Sequence, residues 1–226
     1  MTHLWSEFLT NGGRSVHKWT HYFPAYERHL GRYRNRPCTL LEIGIANGGS
    51  LQLWKRWLGP LVRIVGIDIV PLCKQFEEHQ IDVRIGSQAD PAFLQSLCDE
   101  FGPFDIVLDD GSHQQAHIAT SFAHLYPRTA KDGVYVVEDL HTAYWPEFGG
   151  GLRAPGSFLE TCKAMVDELN AVWTRGAVPA TEFTHSTLSM HFYDSLVAFE
   201  RGRMPPRLGP QIPPVQVKAL RPEDFR

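Results

Sequence analysis

An α/β fold, with a mostly parallel seven-stranded sheet and helices on both faces, is predicted by three features of the 226-residue chain. Short apolar, β-branched runs alternate with segments of helical period through the middle of the sequence, the pattern of successive βαβ units. The first run ends in a cluster of glycines, as does the leading strand of a Rossmann-like sheet. Acidic residues recur at the ends of later runs, where open parallel sheets bind their ligands.

Residues 39–45 (TLLEIGI) read as a buried strand, and 50–58 as a helix with Leu51, Trp54 and Leu58 at helical spacing. Residues 63–69 (RIVGIDI) and 81–85 are the second and third strands. A helix over 91–101 starts with Asp90 as N-cap and Pro91 at its first position. Residues 105–108 (DIVL) and 134–137 (VYVV) are the fourth and fifth strands, joined through a helix over 116–126. The aromatic, glycine-rich stretch over 144–156 is long enough to be a functional loop. A helix over 158–173 and short strands around 188–192 and 196–199 follow. One domain over 1–200 is expected, opening with a helical segment to about residue 36 and followed by a Pro-rich tail over 201–226.

A net charge of -3 disfavours a nucleic-acid binder that works by phosphate neutralisation. Cys38, Cys73, Cys98 and Cys162 form no CxxC pair, which points to neither a zinc site nor a disulfide framework. The N-terminal stretch MTHLWSEFLTNGG has no signal-peptide pattern, and no run of about 18 apolar residues occurs, so a cytoplasmic, membrane-free protein is expected. The composition leaves homo-oligomerisation open.

The loop Glu42-Ile-Gly44-Ile-Ala46-Asn-Gly48-Gly49 lets the backbone turn sharply against a ligand. Taken alone, it also approximates a dinucleotide fingerprint. Glu42 separates the readings, because a carboxylate there repels a pyrophosphate but suits the cationic ammonium and sulfonium of S-adenosylmethionine. Gly44 and Gly48 in the turn and Ser50 at the head of the next helix belong to the same expected cofactor site. Asp68, ending the second strand, suits ribose hydroxyls, and Ser87 and Gln88 after the third suit the adenine edge.

The fourth strand ends in Asp109-Asp110-Gly111-Ser112-His113 and the fifth in Glu138-Asp139. If these strands are neighbours, their ends lie about 5 Å apart. Four converging carboxylates repel one another unless some are protonated or a cation sits among them. Hard oxygen ligands of this kind suit Mg²⁺ or a similar ion. His113, on the glycine-containing turn, stands where a general base is needed.

Together the segments SVHKWTHYFPAYERHL, IGSQAD, FDIVLDDGSH and YVVEDLHTAYWPEFGG resemble the macrocin and mycinamicin O-methyltransferases, which tailor sugars on macrolide antibiotics. The similarity covers roughly residues 14–152, and the DDGSH…ED pair is its most specific part. The resemblance implies a class I methyltransferase fold, S-adenosylmethionine, Mg²⁺ and a deoxysugar hydroxyl as acceptor. It makes Asp110, Glu138 and Asp139 metal ligands and His113 the base. Glu42, Asp68, Ser87, Gln88 and Asp109 then hold the cofactor. Ser87 departs from the family's usual Asp in a GDQ turn, and a long N-terminal auxiliary domain is not expected from these 226 residues.

A sugar hydroxyl is a poor nucleophile, and an imidazole with a pKa of about 6.5 deprotonates it only uphill. A metal that binds two adjacent hydroxyls lowers that barrier, and the base completes it. Tyr144, Trp145 and Phe148 are candidates for an apolar wall over the acceptor or for ordinary packing. Lys18, Trp19, Tyr22 and Phe23 fold over the site or, for most of them, pack an N-terminal helix with Pro24 in its first turn. Competing readings are a methyltransferase of catechol-type diols, a nicotinamide-dependent oxidoreductase and a non-catalytic cofactor-binding protein.

Overall fold

The computed structural model describes residues 3–210. Its strands are β1 (Cys38–Ile43), β2 (Val62–Asp68), β3 (Ile81–Ile85), β4 (Ile106–Asp109), β5 (Val134–Val137), β6 (Thr187–Tyr193) and β7 (Leu196–Arg201). They form one sheet in the order β3-β2-β1-β4-β5-β7-β6. The first five are parallel, while β7 runs antiparallel to β5 and to β6. The mostly parallel, seven-stranded α/β prediction matches this sheet. Strand order reverses direction at β1 and β4, so a crevice opens at their carboxyl ends.

Alternation along each strand sends successive side chains to opposite faces. Leu40, Ile64, Leu108, Val136 and Ala198 pack on one face with α1 (His3–Leu9), α2 (Phe23–Leu30) and α3 (Gly49–Leu58). Leu41, Val65, Val107, Val137 and Phe199 pack on the other. That face is covered by α4 (Pro91–Phe101), α5 (Gln115–Leu125), α6 (Phe158–Leu169) and α7 (Glu182–Ser186).

Several boundaries differ from the expected ones. β1 ends at Ile43, because Gly44 turns out of the strand with a φ of +82°. The helix expected over 158–173 stops at Leu169, where Asn170 donates its side-chain amide to the Val166 carbonyl and a 3-10 turn (Ala171–Trp173) follows. The loop after β5 is a pair of 3-10 turns, Leu140–Tyr144 and Pro146–Phe148, closed when Gly151 N–H donates to the Ala143 carbonyl. Pro24 lies in the first turn of α2, as expected. The Pro-rich tail expected over 201–226 lies outside the described residues from 211 onward, and Arg201 still belongs to β7. All four cysteines are free, and no helix among the described residues is long and apolar enough to cross a membrane.

Phe199 is fully buried, with its ring centroid 4.6 Å from Phe122 and 5.7 Å from Tyr126. It joins the antiparallel hairpin to the parallel part of the sheet. Phe199→Ala is expected to cost about 3–5 kcal/mol of stability, read as a lower urea midpoint at an unchanged slope.

Candidate functional site

Two adjoining cavities occupy the crevice. The first, about 330 Å³, is lined by Gly44, Asp68, Val70, Ser87, Gln88 and His117, among others. The second, about 310 Å³, is lined by Lys18, Asp68, Asp110, His113 and Asp139, together with the turn after β1. Gly44, Asp68 and Gly111 border both.

The turn between them depends on its glycines at two points. A Cβ on Gly44 would stand 2.2 Å from the Asp110 carbonyl oxygen, so any side chain would push β1 and β4 apart. Gly48, the N-cap of α3, has a φ of +68°, and a Cβ there would lie 2.7 Å from the Phe76 ring. Asp68 braces this turn by accepting from the backbone N–H groups of Ile45 (3.1 Å) and Ala46 (3.2 Å).

The expected site residues fall into two sets. Asp68, Ser87 and Gln88 line the first cavity directly. Glu42 and Asp109 lie beneath the walls and line neither cavity. Asp109 is buried and accepts from Gln88 Nε2 (3.0 Å), Tyr135 Oη (3.0 Å) and Ser121 Oγ. Burial pushes its carboxyl up, and those three hydrogen bonds pull it back. Gln88 carries the connection onward, its Oε1 accepting from Ser112 N–H at 2.7 Å. Glu42 is fully buried and accepts from Ser50 Oγ at 2.9 Å, so Ser50 braces the carboxylate while also lining the second cavity.

Strand parity explains this division. Glu42, Asp110 and Glu138 continue the alternation of Leu40, Leu108 and Val136 and therefore turn toward the same face of the sheet. Asp109 turns toward the opposite face, with Tyr135. The four acids at the ends of β4 and β5 thus do not converge on one point.

Lys18 projects into the face shared by Glu42, Asp110 and Glu138. Its Nζ stands 2.7 Å from Asp110 Oδ2, 2.9 Å from Glu138 Oε2 and 3.4 Å from Glu42 Oε1. Burial alone would lower its pKa, but Asp110 and Glu138 hold it well above the ordinary lysine value. Burial raises the Glu138 carboxyl, against the pull of Lys18, and raises that of Glu42 likewise.

On the open side, one ligand atom each from Asp110, His113 and Asp139 lies within 4.8 Å of the others. His113 Nε2 is 3.7 Å from Asp139 Oδ2 and 3.9 Å from Asp110 Oδ1. His113 (φ 57°) and Asp139 (φ 54°) both occupy the left-handed region, which for a non-glycine residue costs about 1 kcal/mol or more. Surrounding contacts hold Asp139 there, since Tyr22 Oη donates to its Oδ1 at 2.7 Å and accepts from its N–H at 3.3 Å. Tyr144, Trp145 and Trp19 are each about half exposed beside this cluster. A chain of rings runs from His113 to Phe148 (6.5 Å), Trp145 (5.9 Å), His141 (4.7 Å) and Trp19 (6.2 Å).

Residue type alone gives Lys18 and Tyr22 no role in the site. The signal for them is a dense aromatic segment, which reads more readily as helix packing.

No family model matches the chain. It is 39% identical over 193 residues to a rhamnosyl tetracenomycin-C 2'-O-methyltransferase of Streptomyces olivaceus, spanning 80% of this chain and 50% of that protein. It is 39% identical over 216 residues to demethylmacrocin O-methyltransferase of Streptomyces fradiae, spanning 89% and 53%. A solved structure of MycE methyltransferase from the mycinamycin biosynthetic pathway, in complex with Mg and SAH, superposes with a TM-score of 0.78. It is 35% identical and covers 88% of this chain and 54% of that one. The chain therefore spans about half the length of these relatives. In sequence and in fold, it belongs with the macrocin- and mycinamicin-type sugar O-methyltransferases, on a class I methyltransferase sheet.

Proposed function

We propose that the chain is an S-adenosylmethionine-dependent, divalent-metal-assisted O-methyltransferase acting on a hydroxyl of a sugar or glycosylated natural product. The observation that carries this reading is the Asp110, His113 and Asp139 group, which lines a cavity adjoining the one beside Ser87 and Gln88.

The first cavity fits the nucleoside part of the cofactor, with Asp68 toward the ribose and Ser87 and Gln88 toward the base. Gly44 lets the chain pass close to it, whereas Gly48 lines neither cavity and serves the turn into α3; Ser50 lines the second cavity, and Glu42 and Asp109 hold the walls from behind. Asp110, Glu138 and Asp139 would hold the ion. In support, Asp110 and Asp139 face each other across His113, while Glu138 lies buried behind them, in the lining of neither cavity, with Lys18 and the Tyr26 hydroxyl against its carboxyl. The donor set is hard oxygen, as Mg²⁺ requires.

The bound cofactor supplies an activated methyl group, and a divalent ion lowers the pKa of a hydroxyl that it binds and orients it. His113 takes the proton from the acceptor hydroxyl, with Asp110 and Asp139 close enough to stabilise the resulting imidazolium. Tyr144, Trp145 and Phe148 form an apolar wall that shields the acceptor from water. Holding both reactants in one crevice supplies much of the remaining acceleration. In support, the tetracenomycin relative's name specifies a rhamnosyl acceptor, and MycE has been solved in complex with mycinamycin VI.

Transfer of labelled methyl from S-adenosylmethionine to a panel of deoxysugar glycosides and catechols tests the reading. Product is expected with glycosides. Methylation of catechols alone would replace the acceptor class, and binding of NAD without binding of S-adenosylmethionine would overturn the methyltransferase assignment.

A further inference from the structure

Lys18 is a buried ammonium set against the same carboxylates that the proposed metal site uses, and that coincidence is unexplained by cofactor or acceptor binding. Its side chain is 2% exposed, and its Nζ faces Asp110, Glu138 and Glu42. Glu42 and Glu138 are themselves almost fully buried, and Lys18 is the cation that contacts both among the described residues. A buried carboxylate is stable only when paired, so without a cation this face of the sheet would carry strong self-repulsion.

Asp110 is shared between two sides. Its Oδ2 lies on the ammonium and its Oδ1 faces His113, in the group with Asp139. Any ion held by Asp110 and Glu138 therefore meets a positive charge already bound to both. Two cations on one carboxylate repel each other, and the burial of Lys18 and Glu138 on one side of Asp110 keeps that repulsion from being fully screened.

We infer that Lys18 is the resident cation of this cluster and competes with the divalent ion for Asp110 and Glu138. The inference rests on the metal-assisted reading above. It gives the ammonium a definite purpose: the crevice stays assembled without metal, at the expense of metal affinity.

The test is a Mn²⁺ titration of chelator-treated protein, with the free aquo-ion followed by electron paramagnetic resonance. Lys18→Met removes the charge and keeps much of the side-chain volume, and it is expected to bind Mn²⁺ about tenfold or more tightly than the unmodified chain. Lys18→Arg keeps the charge and is expected to stay near the parent affinity. Unchanged or weaker binding by Lys18→Met would overturn the competition. If the parent and Lys18→Met both bind no Mn²⁺, the metal reading fails as well. If only Asp139→Asn abolishes binding while Lys18→Met leaves it unchanged, the metal reading stands and the competition alone fails.

A second measurement needs no folded Lys18→Met. Mg²⁺ is added to the unmodified, ¹⁵N-lysine-labelled protein, and the Lys18 Nζ resonance is identified by its loss in Lys18→Arg. A large shift at metal saturation is expected. A resonance that does not move while Mn²⁺ binding is demonstrable would overturn the inference.

Discussion

His113→Ala is expected to lower turnover by about 10²- to 10⁴-fold, the usual contribution of a positioned general base, with little change in cofactor affinity. The imidazole lines the second cavity and not the first, and its Nε2 stands 3.7 Å and 3.9 Å from two carboxylates. Its removal therefore strips the proposed proton acceptor and leaves the walls around Asp68 and Gln88 intact. The relevant comparison sets steady-state turnover against calorimetric binding of S-adenosylhomocysteine. Equal losses in both would make His113 a binding residue. Because His113 sits at a φ of 57°, His113→Asn is the better-matched second variant, since asparagine tolerates that conformation better than alanine does.

The second large effect is expected at Asp139. Asp139→Asn should lower turnover about 10³-fold, in line with the several kcal/mol a bound metal contributes, and chelation of the parent should produce a similar loss. Asparagine is chosen because Asp139 also occupies the left-handed region, where an alanine would add strain to the loss of charge. The Tyr22 hydroxyl can still donate to the amide oxygen, so the backbone turn is preserved. Circular dichroism and melting should remain near the parent values while Mn²⁺ binding disappears. Full activity in Asp139→Asn, or in chelator-treated protein, would remove the ion from the mechanism.

Much of the fold was legible because its signals are local. The periodicities of residues 39–45, 63–69, 81–85 and 134–137 found the four strands that occupy these regions, and Asp90 with Pro91 marked the start of α4 as observed. The glycine turn and the acids at strand ends were legible for the same reason, since each is a short motif tied to one strand terminus. The helix ending at Leu169 was missed by a few residues because Asn170 reads equally well as a helical residue and as a stop. The hairpin that inserts β7 between β5 and β6 was not legible, because two short strands carry no information about which edge they join.

The glycine loop, the DDGSH turn and the Glu138-Asp139 pair were thus determined by sequence alone, along with the α/β class and the relatedness they imply. Tertiary structure alone decided the direction in which each acid points. One residue's shift along a strand reverses its face, so Asp109 turned to Ser121 and Tyr135 while Asp110 turned to Lys18 and His113. It alone also brought Lys18 from 92 residues away in sequence onto Asp110, and Tyr22 from 117 residues away onto Asp139. Such pairings depend on how an N-terminal segment crosses the sheet, a long-range packing outcome that no local pattern of residues encodes.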